Sequence, residues 1–390
     1  MAILCVVSVL LLIVYISLLM YYRVAWGKIP DFSAANFHGK LSTQIVVIIP
    51  ARNEAKHIHA CLATVTNQSY PPHLYQVVVV DDHSTDNTVD IVRAFPSKNI
   101  NLVLLKEHIS GKALNSYKKK AIEIGIQQST GKLIVTTDAD CYVSYEWLKT
   151  IAAFYEMYHP VFIAAPVSID CKRSFIEMFQ ALDFMTLQGI TGASVHKKMH
   201  SMCNGANLAY ERAAYLEVNG FRGIDIIASG DDMLLMHKIY KRFPDRVMFL
   251  KSREAIVNTE PVKTIKDFLN QRIRWASKAD KYEDKRITAV LAIVYLFNVL
   301  LIVLPVLSAF LNVQFQIFNV HYSALQILIL LLTCKTGAEL FFLFPVAGFF
   351  NKSRLLWLFP IMQPFHIIYT VTAGWLGKFG SYQWKERKVS

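Results

Sequence analysis

The stretch KLIVTTDAD, residues 132 to 140, ends a β-prone apolar run in two carboxylates separated by one residue. A buried strand has no use for charge at its end unless something there requires it. Alternation along an extended chain puts Asp138 and Asp140 on one side, about 6 to 7 Å apart by strand rise, close enough to share one cation and its ligand. A hard divalent metal holding a diphosphate is the chemistry that suits them. Taken alone, the pair also reads as a solvated turn or a helix cap.

Other polar clusters follow a definite order: PARNE at 50 to 54, DDHSTD at 81 to 86, GKALN at 111 to 115, NGAN at 204 to 207, SGDD at 229 to 232 and QRIRW at 271 to 275. Glu54, with nearby backbone groups, can meet a base or ribose. Asp81 and Asp82 can accept the imide N–H of uracil, while Ser84, Thr85 or Asp86 caps the next helix. Lys112 opens a helix after a glycine, where ammonium and helix terminus both favour phosphate. The run Lys118, Lys119 and Lys120 reads as a solvated face. Gly205 and Ala206, between Asn204 and Asn207, allow close backbone approach to a sugar, or form a plain turn. Asp232, beside Asp231 and followed by Met233, Leu234 and Leu235, is the candidate general base, since desolvation and a like charge both raise carboxylate basicity. Helical spacing puts Gln271, Arg274 and Trp275 on one face. Arg274 can bind a diphosphate bidentately and Trp275 can offer a flat face to a sugar or acceptor.

This ordered set resembles the membrane-bound family 2 glycosyltransferases over roughly residues 43 to 280. The resemblance implies a GT-A nucleotide-sugar-binding domain and an inverting transfer from a UDP-α-sugar to give a β-glycoside. It implies that Asp138 lies near the ribose and diphosphate and that Asp140, with Asp138, holds Mg²⁺ or Mn²⁺. Pro50, Arg52, Glu54, Asp81, Asp82, Lys112, Asp138 and Arg274 then face the donor nucleotide. Asn204, Gly205, Gln271, Arg274 and Trp275 face the acceptor. Asp232 and Asp231 are catalytic; family members often have Glu-Asp there, which leaves the identity of the base between the two carboxylates.

The elements that must position these groups are visible as a pattern. QIVVII (44–49), QVVVV (76–80), NLVLL (101–105), KLIVTT (132–137) and VFIAAPV (161–167) read as strands, with helices at 53–66, 85–95, 112–128 and 144–157. Such alternation predicts a mainly parallel α/β sheet with its ligand beyond the carboxyl ends of the strands. After residue 170 the pattern becomes amphipathic helices. Phe175, Met178, Phe179, Leu182 and Met185 recur at helical spacing, as do Val262, Ile265, Phe268, Leu269, Ile273 and Ala276. Basic residues on the second of these, Arg272 among them, favour a helix lying on a membrane surface, with a core-facing helix as the alternative.

Composition places this domain on a membrane. The chain of 390 residues is 54% hydrophobic, and its apolar residues concentrate at the two ends. We divide it into an N-terminal transmembrane anchor (1–23), a cytoplasmic GT-A domain (43–260), an interfacial helix (261–286), a membrane region (287–377) and a basic tail (378–390). The membrane region reads as two spans and, where Pro360 and Pro364 interrupt residues 355–377, a re-entrant or interfacial segment. Lys335 and Glu339 are expected to pair within the second span. Six scattered cysteines suggest neither a disulfide framework nor a zinc site. A net charge of +12 is assigned to lipid headgroups and a nucleotide rather than to nucleic acid, because a nucleic-acid binder leaves the aspartate clusters without a role. Transfer of a single sugar to a membrane lipid is the first expectation. A processive synthase of the hyaluronan, chitin or poly-N-acetylglucosamine type is the alternative, and oligomeric state is open.

Overall fold

The computed structural model describes residues 2–109, 114–172, 174–199, 202–227, 230–278, 284–311, 314–317, 320–379, 382–384 and 387–389. The chain forms two compact units, one of Ile29–Cys171 and Ser194–Pro261, the other of Met1–Lys28, Lys172–Ala193 and Val262–Ser390.

Helix α1 (Ala2–Lys28) leads into the first of these, where strands and helices alternate: β1 (Ile45–Ala51), α2 (Ile58–Thr66), β2 (Tyr75–Asp81), α3 (Thr88–Ala94), β3 (Ile100–Leu104), α4 (Tyr117–Gln127), β4 (Leu133–Thr136), β5 (Cys141–Tyr142), α5 (Trp147–Tyr158), β6 (Phe162–Ala164) and β7 (Val167–Ile169). Helix α6 (Phe175–His196) follows, then β8 (Leu208–Glu211), α7 (Arg212–Glu217), α8 (Met233–Arg242), β9 (Val247–Phe249) and β10 (Val257–Thr259). The main sheet runs β3-β2-β1-β4-β8-β6-β9, and β5, β10 and β7 form a small second sheet. Strands β1 to β4 are parallel, as their continuous β-branched composition predicts, and Val46 to Ile49 and Val77 to Val80 are fully buried. Gly131 enters β4 so close to β1 that a Cβ there would lie 2.6 Å from Val46 N.

Two expectations are corrected. The sheet does not end at residue 170: β8 inserts antiparallel between β4 and β6, and β9 joins parallel to β6. These strands are only three or four residues long, too short for a pattern to show. The run 161–167 is not one strand. It breaks at Ala165–Pro166, because proline lacks the N–H a ladder needs, and its halves join different sheets. Asn207 holds this junction together: its Nδ2 donates to the carbonyls of Pro166 (2.8 Å) and Ala255 (2.8 Å), and its Oδ1 accepts from Trp147 Nε1 (3.1 Å).

Parallel register brings Ala51 level with Asp81 and Ile48 level with Thr136. The clusters 50–54, 81–86 and 138–140 therefore emerge at one carboxyl edge, as anticipated.

The second unit holds α9 (Ile265–Ala276), α10 (Lys285–Leu311), α11 (Ala324–Phe349) and α12 (Phe359–Phe379), together with α1. Among the described residues, four helices, Val6–Lys28, Lys285–Phe310, Ala324–Phe349 and Ser353–Phe379, are long and apolar enough to cross a membrane. Residues 359–379 form one continuous helix with Pro364 inside it; Pro360 sits in the first turn, where a missing N–H costs little. Lys335 and Glu339 pair as expected (2.7 Å) and are buried. Gln363 bonds both, and Tyr15 also donates to Glu339.

Asn207→Ala should orphan three buried polar groups and destabilise the sheet unit by about 2–4 kcal/mol, as leaving buried partners unsatisfied does. A thermal melt of the purified protein should show the loss; an unchanged midpoint would mean that the three bonds contribute nothing net.

Candidate active site

At the end of β2, Asp81 is 4% exposed, and its Oδ2 accepts the Ser84 N–H at 3.2 Å. Its Oδ1 is buried and meets no hydrogen-bond partner among the described residues. Asp82 is also buried: Arg52 Nη1 lies 3.9 Å from its carboxylate and donates to its carbonyl at 2.9 Å. The turn after β1 and the turn after β2 are laced together. Asn53 N–H donates to Ser84 Oγ, Thr85 N–H to Asn53 Oδ1, Glu54 N–H to Thr88 Oγ1 and Ala55 N–H to Asp86 Oδ2. Desolvation is the largest single influence on the Asp86 carboxyl and raises it, but the Thr88 hydroxyl and the N–H groups of Ala55 and Thr88 together outweigh it and hold the carboxyl below the usual range. Arg52, Glu54, Asp81 and Asp82 are thus brought together, with Pro50 paired opposite Val80 in the sheet.

Beyond β4 stands a second group. Lys118 Nζ lies 2.7 Å from Asp138 Oδ1 and 3.3 Å from Asp231 Oδ2. The lysine run is therefore not a solvated face. An α-helix turns about 100° per residue, so three neighbours point three ways. Lys118 enters the site; Lys119 is buried and donates to the carbonyls of Ile224 (2.7 Å) and Ile227 (2.5 Å); Lys120 pairs with Glu123. Burial pulls the Lys118 ammonium down, but the Asp138, Asp231 and Asp232 carboxylates outweigh it and push it well up, so it stays charged.

Asp232 caps α8. Its Oδ1 accepts from Met233 N (2.7 Å) and its Oδ2 from Gly205 N (3.1 Å). Space at Gly205 is tight: a Cβ would meet Asp231 Oδ2 at 3.2 Å and Lys118 Nζ at 3.3 Å, so these two side-chain ends would have to give by a few tenths of an ångström. Asn204 closes this turn by accepting from Ala206 N at 2.9 Å. Asn204, Gly205, Asp231, Asp232 and Asp138 thereby converge, with Asp140 two residues further along. Cys61 and Cys141, next to the Asp138–Asp140 turn, are buried thiols whose ionisation is pushed up first by desolvation and then by these carboxylates.

Among the described residues, no group of three or more His, Cys, Asp or Glu side chains is arranged to hold a metal ion. Asp138 and Asp140 nonetheless supply hard carboxylate oxygens on alternate residues, a donor set that fits Mg²⁺ or Mn²⁺ completed by phosphate oxygens and water. Lys112 lies outside the described residues.

Gln271, Arg274 and Trp275 lie on α9 in the helical unit, whose start is capped by Thr264. Arg272 is not a surface cation. It is 4% exposed, donates to Asp183 Oδ2 from Nε (3.0 Å) and Nη2 (2.6 Å) and to Gln271 Oε1 (2.8 Å), and lies 4.2 Å from the Trp275 ring centroid. Tyr369 donates to the other oxygen of Asp183.

A model of glycosyl transferase family 2 matches residues 46–217, and one of glycosyl transferase family group 2 matches residues 133–373. Glycosyltransferase AglE of Haloferax volcanii is 40% identical over 105 residues, 27% of this chain and 33% of that protein. The dolichyl N-acetyl-alpha-D-glucosaminyl phosphate 3-beta-D-2,3-diacetamido-2,3-dideoxy-beta-D-glucuronosyltransferase of Methanococcus voltae is 31% identical over 112 residues, 29% of this chain and 34% of that protein. The matched stretch thus spans about a third of each relative's length. Among solved structures, a mannosyltransferase, PcManGT, from Pyrobaculum calidifontis in complex with GDP-Man and Mn²⁺ superposes with a TM-score of 0.59 at 20% identity, covering 93% of this chain and 99% of that one. At that identity the likeness shows a shared fold.

Lys118→Met should lower turnover of a sugar nucleotide by about a hundredfold or more, the usual loss when one preorganised donor is removed from a charged site, while Lys120→Met leaves it unchanged. Equal rates for the two variants in a coupled assay of released nucleotide would return Lys118 to the surface.

Proposed function

The chain is a family 2 glycosyltransferase with the GT-A fold, and we propose that it moves a single sugar from a UDP-sugar to a lipid hydroxyl at the cytoplasmic face of a membrane. The observation that carries the reading is the convergence of Asp138, Asp231 and Asp232 on Lys118 and Gly205, at the sheet edge that also holds Asp81. Four helices of membrane-crossing length and a relative whose name gives a dolichyl-linked substrate support a lipid acceptor.

In this reading the unpartnered Oδ1 of Asp81 accepts the imide N–H of the base, and Arg52 and Glu54 close the nucleotide side. Lys118 takes the role that the sequence suggests for Lys112, presenting a permanent positive charge to the donor diphosphate. Asp232, fixed at both oxygens, takes the proton of the acceptor hydroxyl as its oxygen bonds to the anomeric carbon. The bond from that carbon to the diphosphate breaks on the opposite side, so the configuration inverts and no enzyme nucleophile is required. Asp231 holds Lys118 in place. Asp140 and Asp138 would hold Mg²⁺ or Mn²⁺, which supplies charge neutralisation to the leaving diphosphate. Asn204 and Gly205 line the acceptor side, with Gln271, Arg274 and Trp275 assigned to acceptor and diphosphate by their motif.

Purified protein incubated with a panel of UDP-sugars, divalent metal and host membrane lipid should convert one discrete lipid to a species heavier by a single sugar, read by mass spectrometry. Asp232→Asn should abolish this product. A ladder of repeating sugar masses would instead make the protein a polymer synthase, and conversion by Asp232→Asn at the wild-type rate would remove Asp232 as the base.

A further inference from the structure

We propose that His83 is a positioning residue for donor recognition, whose imidazole orients the carboxylate of Asp82, the residue that follows Asp81 at the end of β2. The inference rests on the reading of this sheet edge as a nucleotide-sugar site and assigns a function to a side chain that the reading leaves unused.

His83 adopts φ +56°, the left-handed region that favours glycine. Any side chain there carries some strain, histidine less than most, and strain persists only where neighbours over-determine the conformation. They do so here. Arg52 Nη1 donates to the carbonyls of Asp82 (2.9 Å) and His83 (3.4 Å), Asp82 N–H donates to the Ala51 carbonyl (2.8 Å), and Ser84 N–H donates to Asp81 Oδ2 (3.2 Å). The backbone could be held this way with a glycine at no steric cost, so the turn alone gives no reason for an imidazole.

The ring's own contacts supply one. His83 Nδ1 lies 2.9 Å from Asp82 Oδ1, and the Tyr117 ring meets it edge to face, with centroids 5.7 Å apart at 89°. Tyr117 begins α4 and directly precedes Lys118. The imidazole therefore ties the turn after β2, which carries Asp81 and Asp82, to the helix that carries the site's ammonium. Its side chain is 35% exposed while that of Asp82 is 5% exposed, so a half-buried ring bonds a buried carboxylate. A carboxylate fixed in this way presents one orientation to an incoming base, which lowers the ordering cost of binding. Left-handed strain is tolerated in return for donor affinity.

The test compares His83→Gly, His83→Ala and His83→Asn, with Asp81→Asn measured alongside. The readouts are melting temperature, the dissociation constant for UDP by calorimetry, and KM and kcat for a UDP-sugar. His83→Gly should melt about 2–4 °C above His83→Ala, since both lack the ring and only glycine suits the backbone. Both should bind UDP about tenfold more weakly, with a matching rise in KM and kcat within twofold. His83→Asn should recover most of the affinity, because asparagine tolerates the left-handed region and its amide can donate to Asp82. UDP affinity unchanged in His83→Gly but weakened in Asp81→Asn would overturn the proposal while leaving the nucleotide site standing. A fall in kcat with KM intact would also overturn it. If neither variant alters UDP affinity, the nucleotide-site reading fails and this inference fails with it.

Discussion

Carboxylates can crowd one end of a sheet only if a cation stands among them, and here that cation is Lys118. Asp138 leaves β4, Asp231 and Asp232 precede α8, and like charges at such range repel unless the field is compensated. The ammonium lies within 3.3 Å of two of these carboxylates. Much of the nearby architecture follows from accommodating it. The turn at Gly205 carries no side chain, and one there would press on Lys118 and Asp231. Its N–H also fixes Asp232, so a single glycine both makes room for the charge cluster and sets one of its members.

The sequence made the left half of the sheet legible because strands buried on both faces need continuous apolar, β-branched runs, and β1, β2 and β4 have them. It made the aspartates legible because charge closing such a run stands out. The other half of the main sheet was hidden by shortness: VMF carries too few residues for a period, as does VNT in the small second sheet, and β8 is specified by its neighbours rather than by its own composition. Pro166 was a visible break inside an otherwise convincing strand and marked the change of sheet.

Lys118 and Arg272 were missed for one shared reason. Each sits in a basic stretch that reads as a face, whereas a helix distributes consecutive residues around its axis, so that one member of a run can be buried and paired while the next is in water. The informative signal was the partner: Asp183 is a carboxylate on an otherwise apolar helical stripe, and a buried charge of that kind predicts an opposite charge elsewhere in the chain. By contrast, Lys335 and Glu339 were readable as a pair because both partners lie on one helix, four residues apart.

The place of β8 bears on the order in which the molecule is made. It lies between β4 and β6 in space, yet it leaves the ribosome only after the whole of α6. Until then the edges of β4 and β6 that β8 will join stay unsatisfied in the nascent sheet. Open edges of this sort pair readily with other chains. The interval in which residues 172–207 are synthesised is therefore when the growing polypeptide is most exposed to aggregation, and slow translation through that interval would lengthen its dependence on chaperones.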